Sequence, residues 1–348
     1  MSVPRSMIFF ILSLLGITGP VAAQTVIYSG REYLQQGRSW FHIREVDLAT
    51  GRHTQLTTDP HNHSNPWCGP DKKSILFTPG TFGHQKSLFH FDRVTKKETF
   101  VVMLEQDLFA IVGALDDSRI VVQEYGGVIE IVDIAAGQKV RRISGVNPTI
   151  APNRKVMAWQ TAVDTISNPD QKRHILLSDI DGSNSVDLGE GTAPFFMLDG
   201  TQLLFARSNK GSDQFDIVHY KIKSRVQEVQ LTRGIQMPTQ VYDLTASLDG
   251  STIVLSTDGG RYGTAVFWRM TSSGEWSIVD ENLHPWGGWS GDGRLIYATD
   301  GRDLRPLDAQ RNVWVSDIKL LDQHSGQTST VVSGVSMNQD PCWCGSGK

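Results

Sequence analysis

Four histidines have types and positions that suit metal binding. His61 and His63 are two residues apart in the segment Asp59-Pro-His-Asn-His, and side chains at i and i+2 of an extended chain point to the same side. Imidazole nitrogens are common ligands of divalent transition metals. His84 and His284 lie in segments that the repeat pattern described below brings to the same face. A His-x-His pair is also a frequent surface feature, and both interpretations stay open.

Arginines and aromatic residues form a second candidate site. They fall in polar segments between apolar runs: Arg31, Tyr242, Arg261, Tyr262 and Trp286. Arginine binds carboxylates through two parallel hydrogen bonds, and the flat ring of tyrosine or tryptophan offers a stacking surface for a sugar. This composition favours an anionic oligosaccharide as the ligand. Ordinary surface loops are also polar, so the alternative of a solvated face is kept.

A repeated unit of short strands must position these residues. A turn containing Asp or another polar turn residue recurs at positions 71, 117, 153, 199, 249, 292 and 346, at intervals of 36 to 54 residues. The first six copies are followed by short β-rich runs, such as Ile75-Leu-Phe-Thr and Leu295-Ile-Tyr-Ala. Third and fourth strands follow in most copies. Four short strands in roughly 40–50 residues are the signature of a β-propeller blade.

The ends of the chain indicate how the ring closes. The last copy of the hairpin stops at its turn, and residues Thr25–Ser29 form a strand that lacks a partner in its own repeat. The N-terminal strand therefore completes the last blade, because closure removes exposed sheet edges. The prediction is an all-β fold, a seven-bladed β-propeller. Six or eight blades, or a pair of β-sandwiches, are the alternatives.

The repeated turn carboxylates are assigned to structure and not to acid–base chemistry. They are Asp71, Asp117, Asp199, Asp249 and Asp292. Their regular spacing predicts that each one stabilises its own turn through backbone hydrogen bonds. They are expected on the face opposite the candidate site residues.

Composition and the N-terminal segment restrict the location and the partners. Residues 1–23 combine Arg5, a short apolar run and Val21-Ala-Ala, which predicts a signal peptide followed by one propeller domain at 24–348. The mature chain is then expected to be periplasmic or secreted, without a membrane span. A net charge of −4 argues against nucleic acid as a partner.

Three cysteines are compatible with one disulfide in an oxidising compartment. They are Cys68, Cys342 and Cys344. Cys68 and Cys344 occupy similar repeat positions in the first and last blades, which are neighbours once the ring closes. A disulfide between Cys68 and either Cys342 or Cys344 would lock that closure.

The repeat resembles that of a known family. The run Trp289-Ser-Gly-Asp-Gly-Arg-Leu-Ile-Tyr and the segments Asp47-Leu-Ala-Thr-Gly and Gln55-Leu-Thr are similar to the β-propeller repeat of TolB-like proteins. Oligogalacturonate lyases and prolyl oligopeptidase-type enzymes share this repeat. The resemblance covers nearly all of residues 25–348. The Gly-x-Ser-x-Gly motif of the peptidases does not occur in the chain.

The resemblance to the lyases implies metal-assisted β-elimination on uronic-acid oligosaccharides. The four candidate histidines would then hold a divalent metal, Mn²⁺ or Ca²⁺, and Thr58 stands where the lyases have a glutamine. Arg302, Arg305 and Arg311 would bind the uronate carboxylate or act as the base.

Two functions follow. The first is an exported, monomeric propeller that binds a protein partner or an anionic oligosaccharide. The alternative is the lyase. The incomplete match to the histidine motif of the lyases favours the binding module, and it leaves open whether the protein is an enzyme.

Overall fold

The computed structural model describes residues 24–33, 39–80, 83–163, 172–208, 215–230, 241–257, 265–270, 275–284, 288–299 and 303–344. The predicted signal peptide at 1–23 and the turn at 345–348 lie outside this part of the chain. Within the described residues all regular secondary structure is β-strand. No helix among them is long and apolar enough to cross a membrane.

The strands follow in chain order. The first ten are β1 Thr25–Glu32, β2 His42–Asp47, β3 His53–Gln55, β4 His63–Cys68, β5 Ser74–Pro79, β6 Ser87–Asp92, β7 Lys97–Met103, β8 Leu108–Ala114, β9 Arg119–Glu124 and β10 Val128–Asp133. The next ten are β11 Gln138–Ser144, β12 Val146–Ile150, β13 Val156–Gln160, β14 His174–Asp179, β15 Val186–Glu190, β16 Thr192–Phe196, β17 Gln202–Ser208, β18 Phe215–Lys221, β19 Val226–Gln230 and β20 Val241–Ala246. The last nine are β21 Ile253–Thr257, β22 Ala265–Met270, β23 Trp276–His284, β24 Arg294–Thr299, β25 Asp303–Pro306, β26 Asn312–Val315, β27 Ile318–Asp322, β28 Thr328–Val332 and β29 Ser336–Trp343.

The strands are arranged as seven antiparallel blades. Blade 1 is β4–β7, and blades 2 to 5 are the next four groups of four strands up to β23. Blade 6 contains β24, β27 and β28, and its innermost position is taken by Trp289, which bridges to Leu295. The hairpin β25–β26 is inserted between the second and third strands of this blade. Blade 7 has the order β29-β1-β2-β3.

The closure of the ring is confirmed. In blade 7 the C-terminal strand β29 pairs antiparallel with the N-terminal strand β1, with Val26 opposite Trp343 and Arg31 opposite Met337. On its other edge β1 pairs with β2. The backbone groups of β1 are thus satisfied on both sides, and β29 supplies the innermost strand of blade 7.

The apolar pattern of the second strand in each blade explains how blades pack. In β5 the residues Ile75, Leu76 and Phe77 are all buried, because one side of the strand faces the next blade and the other side faces the previous one. In β1, Val26 packs towards blade 6 and Ile27 towards blade 1. Strands covered on both faces carry continuous apolar runs, as observed here.

The core is divided among the blade interfaces. Each pair of neighbouring blades encloses one cluster of buried apolar residues. The cluster between blades 7 and 1, for example, joins Ile27 and Ile43 to Ile75 and Phe77. This division supports the count of seven blades independently of strand pairing.

Three of the five turn carboxylates take the structural role predicted for them, and two positions differ. Asp71 Oδ1 accepts backbone hydrogen bonds from Lys73 at 3.0 Å and Ser74 at 2.9 Å. Asp199 and Asp249 cap their turns in the same way. In blade 2 the acceptor is Asp116 and not Asp117, because the turn is shifted by one residue. In blade 6 the Arg294 backbone amide donates to Ser290 Oγ at 2.9 Å, and Asp292 accepts from the Ser290 hydroxyl instead.

The disulfide links Cys68 at the end of β4 to Cys344 just after β29, with 5.3 Å between the Cα atoms. This decides between the two pairings that the sequence left open. Cys342 is the free thiol, and burial raises its pKa to about 12. The bond joins blade 1 to blade 7 beside the seam where the ring closes.

Removal of the disulfide is expected to destabilise the closed ring. Cys344→Ala and Cys68→Ala should each lower the free energy of unfolding by about 3–5 kcal/mol, because the bond constrains a very long loop of the unfolded chain. The double variant should cost no more than either single variant. Denaturant titration measures these values. Cys342→Ala is the control and should leave the disulfide and its contribution intact.

Two carboxyl groups are buried side by side in blade 2. Glu124 and Glu130 are both almost fully inaccessible to solvent. Glu124 Oε2 accepts a hydrogen bond from the backbone N–H of Gln106 at 2.6 Å, and Lys139 Nζ lies 3.6 Å from Glu130 Oε1. Burial, and next the charge of Glu124, raises the pKa of Glu130 to about 7. The folded protein therefore holds a proton on this pair at mildly acidic pH.

Because of the Glu124–Glu130 pair, we expect the free energy of unfolding to decrease as pH rises. Between pH 4.5 and about 7 the folded state keeps a proton that the unfolded state has released, so the free energy of unfolding decreases with pH. Glu130→Gln should remove this dependence, so that the difference in free energy of unfolding between the variant and wild type shifts in favour of the variant by about 1–3 kcal/mol from pH 5 to pH 8. Denaturant titration at several pH values checks this. The exposed Glu105→Gln should retain the slope, and equal slopes in wild type and Glu130→Gln would contradict the assignment.

Candidate functional site

One face of the ring carries the candidate site residues. The connections from second to third strands, and from each blade to the next, all lie on this face, which we call the loop face. The Asp-containing turns lie on the opposite face. Three features of the molecule carry chemistry: a basic pocket on the loop face, the central channel, and a cluster around His63.

The first feature is a cavity of about 700 Å³ between blades 6 and 7 and the segment that leads into blade 1. We call it the basic pocket. Its walls are Arg31, Tyr33, Ser39, Trp40, Asn62, Leu307, Gln310, Arg311, Asn312 and Val313. Within the described residues these walls contain two guanidinium groups and no carboxylate or imidazole.

Arg31 is held in place by its neighbours in blade 7. It lies near the end of β1, and its Nε donates a hydrogen bond to Ser39 Oγ at 3.1 Å. Its guanidinium carbon lies 4.9 Å from the centre of the Tyr33 ring and 5.6 Å from that of Phe41. Such cation–π contacts orient the planar group while leaving its charge intact. Arg31 thus presents a fixed positive charge at the pocket wall.

Arg311 lines the pocket from the opposite side. It lies just before β26, and its Nε donates to Asp308 Oδ2 at 2.8 Å within the hairpin turn. Asp308 Oδ1 also accepts a hydrogen bond from the backbone N–H of Gln310 at 2.9 Å. The Arg311 guanidinium is the largest cause of a lowered pKa at Asp308. This ion pair offsets part of the positive charge of Arg311.

Of the other two candidate catalytic arginines, the described one, Arg305, is not in the pocket walls. Arg305 in β25 pairs with Asp317 at 2.6 Å and donates to the Gly334 carbonyl at 2.7 Å, so it ties the inserted hairpin to blades 6 and 7. Arg302 lies outside the described residues. The structure therefore separates the roles of Arg305 and Arg311, which the sequence had grouped together.

The remaining candidate ligand-binding residues are elsewhere or undescribed. Tyr242 is exposed at the start of β20, and its backbone carbonyl accepts a hydrogen bond from Asn147 Nδ2 at 3.2 Å. Arg261, Tyr262 and Trp286 lie outside the described residues.

The second feature is a cavity of about 540 Å³ in the central channel. Its aromatic walls come from the inner strands of several blades and include Trp67, Phe109 and Trp343. Its charged lining residues are Asp243 and Asp340. Burial raises the pKa of Asp243 to about 7. An anionic ligand is disfavoured here, because both charged groups are acids.

The third feature is a cluster formed by Asp59, His63 and Glu98. Their candidate ligand atoms all lie within 4.8 Å of one another, and no other such group occurs in the described residues. His63 Nε2 is 3.2 Å from Asp59 Oδ1 and 3.9 Å from Glu98 Oε2. His61 is 69% exposed and its Nδ1 contacts Asp59 Oδ2 at 2.8 Å.

The structure groups the candidate metal ligands differently from the sequence prediction. Of the three candidate histidines whose side chains are described, only His63 belongs to the cluster, and His61 contacts it through Asp59. His84 is exposed and is not a member of the cluster. The backbone of His284 ends strand β23, and its side chain lies outside the described atoms.

Several residues of these sites were not predicted from the sequence. Asp59 was part of the histidine segment but was not selected as a ligand. Glu98 lies on the outer strand of blade 1 and gives no local signal. Trp40 in the basic pocket and Asp243 in the channel were also missed. A sequence signal existed for Asp59, since it lies in the same short segment as His61 and His63.

Solved structures share this fold. TolB from Acinetobacter baumannii aligns with a TM-score of 0.51 and 13% identity, over 92% of this chain and 66% of that one. An oligogalacturonate lyase in complex with manganese aligns with a TM-score of 0.57 and 16% identity, over 75% and 80% of the two chains. An acylaminoacyl peptidase in complex with Z-Gly-Gly-Phe-chloromethyl ketone aligns with a TM-score of 0.55 and 14% identity, over 90% and 52%.

These likenesses establish the fold alone, because the identities are all below 25%. The chain spans slightly less than two thirds of the TolB chain and about half of the peptidase chain. No protein-family model and no curated protein sequence matches it. The chain thus shares the β-propeller fold with these proteins, and only its own sites bear on its activity.

Proposed function

We propose that this protein is a binding module for an anionic oligosaccharide that contains uronic acid, held in the basic pocket. One observation carries the proposal: the guanidinium groups of Arg31 and Arg311 line the same cavity as the rings of Tyr33 and Trp40. Charged and aromatic groups of this kind match the two parts of a uronate, its carboxylate and its sugar ring.

The electrostatics of the pocket support this ligand class. Arginine keeps its charge at all accessible pH values, and its planar fork suits a carboxylate. Arg31 is oriented by aromatic rings and a hydroxyl group, so its guanidinium needs little reorganisation when a ligand binds. Arg311 shares its charge with Asp308 and is expected to contribute less.

The alternative function, β-elimination on uronate oligomers, fits the pocket less well. That reaction needs a base beside the acidic proton, and a metal or other cation to stabilise the resulting anion. Among the described residues the pocket walls offer neither an imidazole nor a carboxylate. Arg305, one of the three candidate catalytic arginines, is engaged with Asp317. Binding without catalysis is therefore the function that we favour.

Export is part of the same proposal. The segment at 1–23 supports secretion or a periplasmic location, where anionic polysaccharide is accessible to a soluble propeller. A protein partner remains the second class of ligand for a propeller of this type, and a monomer is the expected state.

Substitution of Arg31 tests the binding site. Arg31→Gln should weaken the binding of trigalacturonate at least tenfold, because one charge-assisted contact to a carboxylate contributes about 1.5–3 kcal/mol. Arg311→Gln should have a smaller effect. Isothermal titration calorimetry at low and moderate salt measures both.

The matched control is Arg141→Gln, which makes the same change of charge at an exposed position on blade 2. It should bind as wild type does. If Arg141→Gln loses as much affinity for trigalacturonate as Arg31→Gln does, the effect is one of overall charge and not of the pocket. If the wild-type protein does not bind trigalacturonate, the proposal is wrong. Ultraviolet absorbance of an unsaturated product in the same samples would instead support the lyase.

A further inference from the structure

We propose that Asp59, His63 and Glu98 form a binding site for a divalent transition-metal ion of the Zn²⁺ or Mn²⁺ class. None of these three residues lines the basic pocket, and the proposal does not depend on the function proposed above. It would join the segment between blades 7 and 1 to the outer strand of blade 1.

The spacing of the three side chains fits a metal ion. The imidazole Nε2 lies 3.2 Å from one carboxylate oxygen and 3.9 Å from the other. Ligand atoms that bind one ion at about 2.0–2.2 Å in a tetrahedral arrangement are about 3.3–3.6 Å apart. Small side-chain rotations bring the three atoms to this spacing, and water can complete the coordination.

The charges of the cluster are not balanced by the protein. In the described part of the chain, the ion pairs of Asp59 and Glu98 are formed with imidazoles and with no lysine or arginine. Burial lowers the pKa of His63 against the opposing effect of Asp59, so its imidazole is mainly neutral at neutral pH. Burial, and next the charge of Asp59, raises the pKa of Glu98. A bound cation would relieve this repulsion.

Two polar atoms of the cluster are buried without hydrogen bonds. Asp59 Oδ1, which lies 3.2 Å from His63 Nε2, has no hydrogen-bond partner within the described residues. His63 Nδ1 is also without a partner there. An unpaired buried oxygen costs free energy in a folded protein, and a cation bound to Asp59 Oδ1 would offset that cost, whereas a cation bound at His63 Nε2 would leave Nδ1 unpaired. The side chain of His63 is only 1% exposed, so bulk water does not solvate it.

The backbone and neighbouring rings fix His63 in position. Its amide donates to the Phe41 carbonyl at 2.8 Å, and its carbonyl accepts a hydrogen bond from Ser29 Oγ at 2.6 Å. The imidazole packs 5.0 Å from the Phe77 ring and 6.1 Å from that of His42. A ligand held this firmly loses little freedom when a metal binds.

The donor set decides the class of metal. One imidazole nitrogen with two carboxylate oxygens suits Zn²⁺, Mn²⁺ and related ions. Ca²⁺ prefers six to eight oxygen ligands, and Mg²⁺ retains its waters and uses carboxylates. His61 bonds the outer oxygen of Asp59 and can orient that carboxylate, as residues behind metal ligands commonly do.

Metal titration of the mature protein tests the site. After treatment with a chelator and dialysis, isothermal titration calorimetry with ZnCl₂ and with MnCl₂ should show one equivalent bound, and Zn²⁺ should bind more tightly. The affinity should rise with pH, because the metal competes with protons for its imidazole and carboxylate ligands. Binding should also raise the melting temperature, which is a readout independent of any activity.

Conservative variants identify the ligands. Glu98→Gln and Asp59→Asn keep the size of each side chain and should weaken Zn²⁺ binding at least tenfold. Their circular dichroism spectra without metal should match that of wild type. His84→Gln, at an exposed histidine outside the cluster, should bind Zn²⁺ as wild type does. Arg31→Gln should do so too, which separates this test from the test of the basic pocket.

Three outcomes would overturn the proposal. The first is wild-type protein that binds no Zn²⁺ or Mn²⁺ after removal of adventitious metal. The second is undiminished binding by Glu98→Gln and Asp59→Asn. The third is tighter binding of Ca²⁺ than of Zn²⁺, which would exclude the imidazole as a ligand.

Discussion

The antiparallel pairing of β29 with β1 is the interaction on which the rest of the structure depends. The two ends of the chain meet in one sheet, and the disulfide between Cys68 and Cys344 lies beside it. Each blade buries its apolar faces only against two neighbours, so an open ring would expose the clusters on both sides of the gap. Closure converts seven marginal sheets into one cooperative core.

The same seam positions the sites. The basic pocket is built from the end of β1, the connection to β2 and the hairpin inserted into blade 6. The cluster around His63 lies where the chain leaves blade 7 and begins blade 1. Both sites need blade 7 to be complete. The closing strand therefore supports stability and also places Arg31 and the partners of His63.

Charge is segregated within a protein of small net charge. The channel presents Asp243 and Asp340, whereas the basic pocket presents Arg31 and Arg311. The net charge of −4 conceals this difference. Because charges act over about 10 Å or less in physiological salt, each cavity responds to its own lining and not to the average of the chain. An anion and a cation would thus select different cavities of the same ring.

The sequence by itself determined the blades, the ring closure and most of the turn residues, and it favoured seven blades over six or eight, because strand alternation and turn chemistry act between residues close in the chain. Even there, Asp116 and not Asp117 caps its turn, since a shift of one residue leaves the pattern unchanged. Tertiary structure alone decided which distant residues meet. It brought Glu98 to His63, chose Cys344 over Cys342, and turned Arg305 towards Asp317 while Arg311 lines the pocket. Such contacts depend on how the blades pack against one another, and a pattern of residues close in the sequence does not predict that packing.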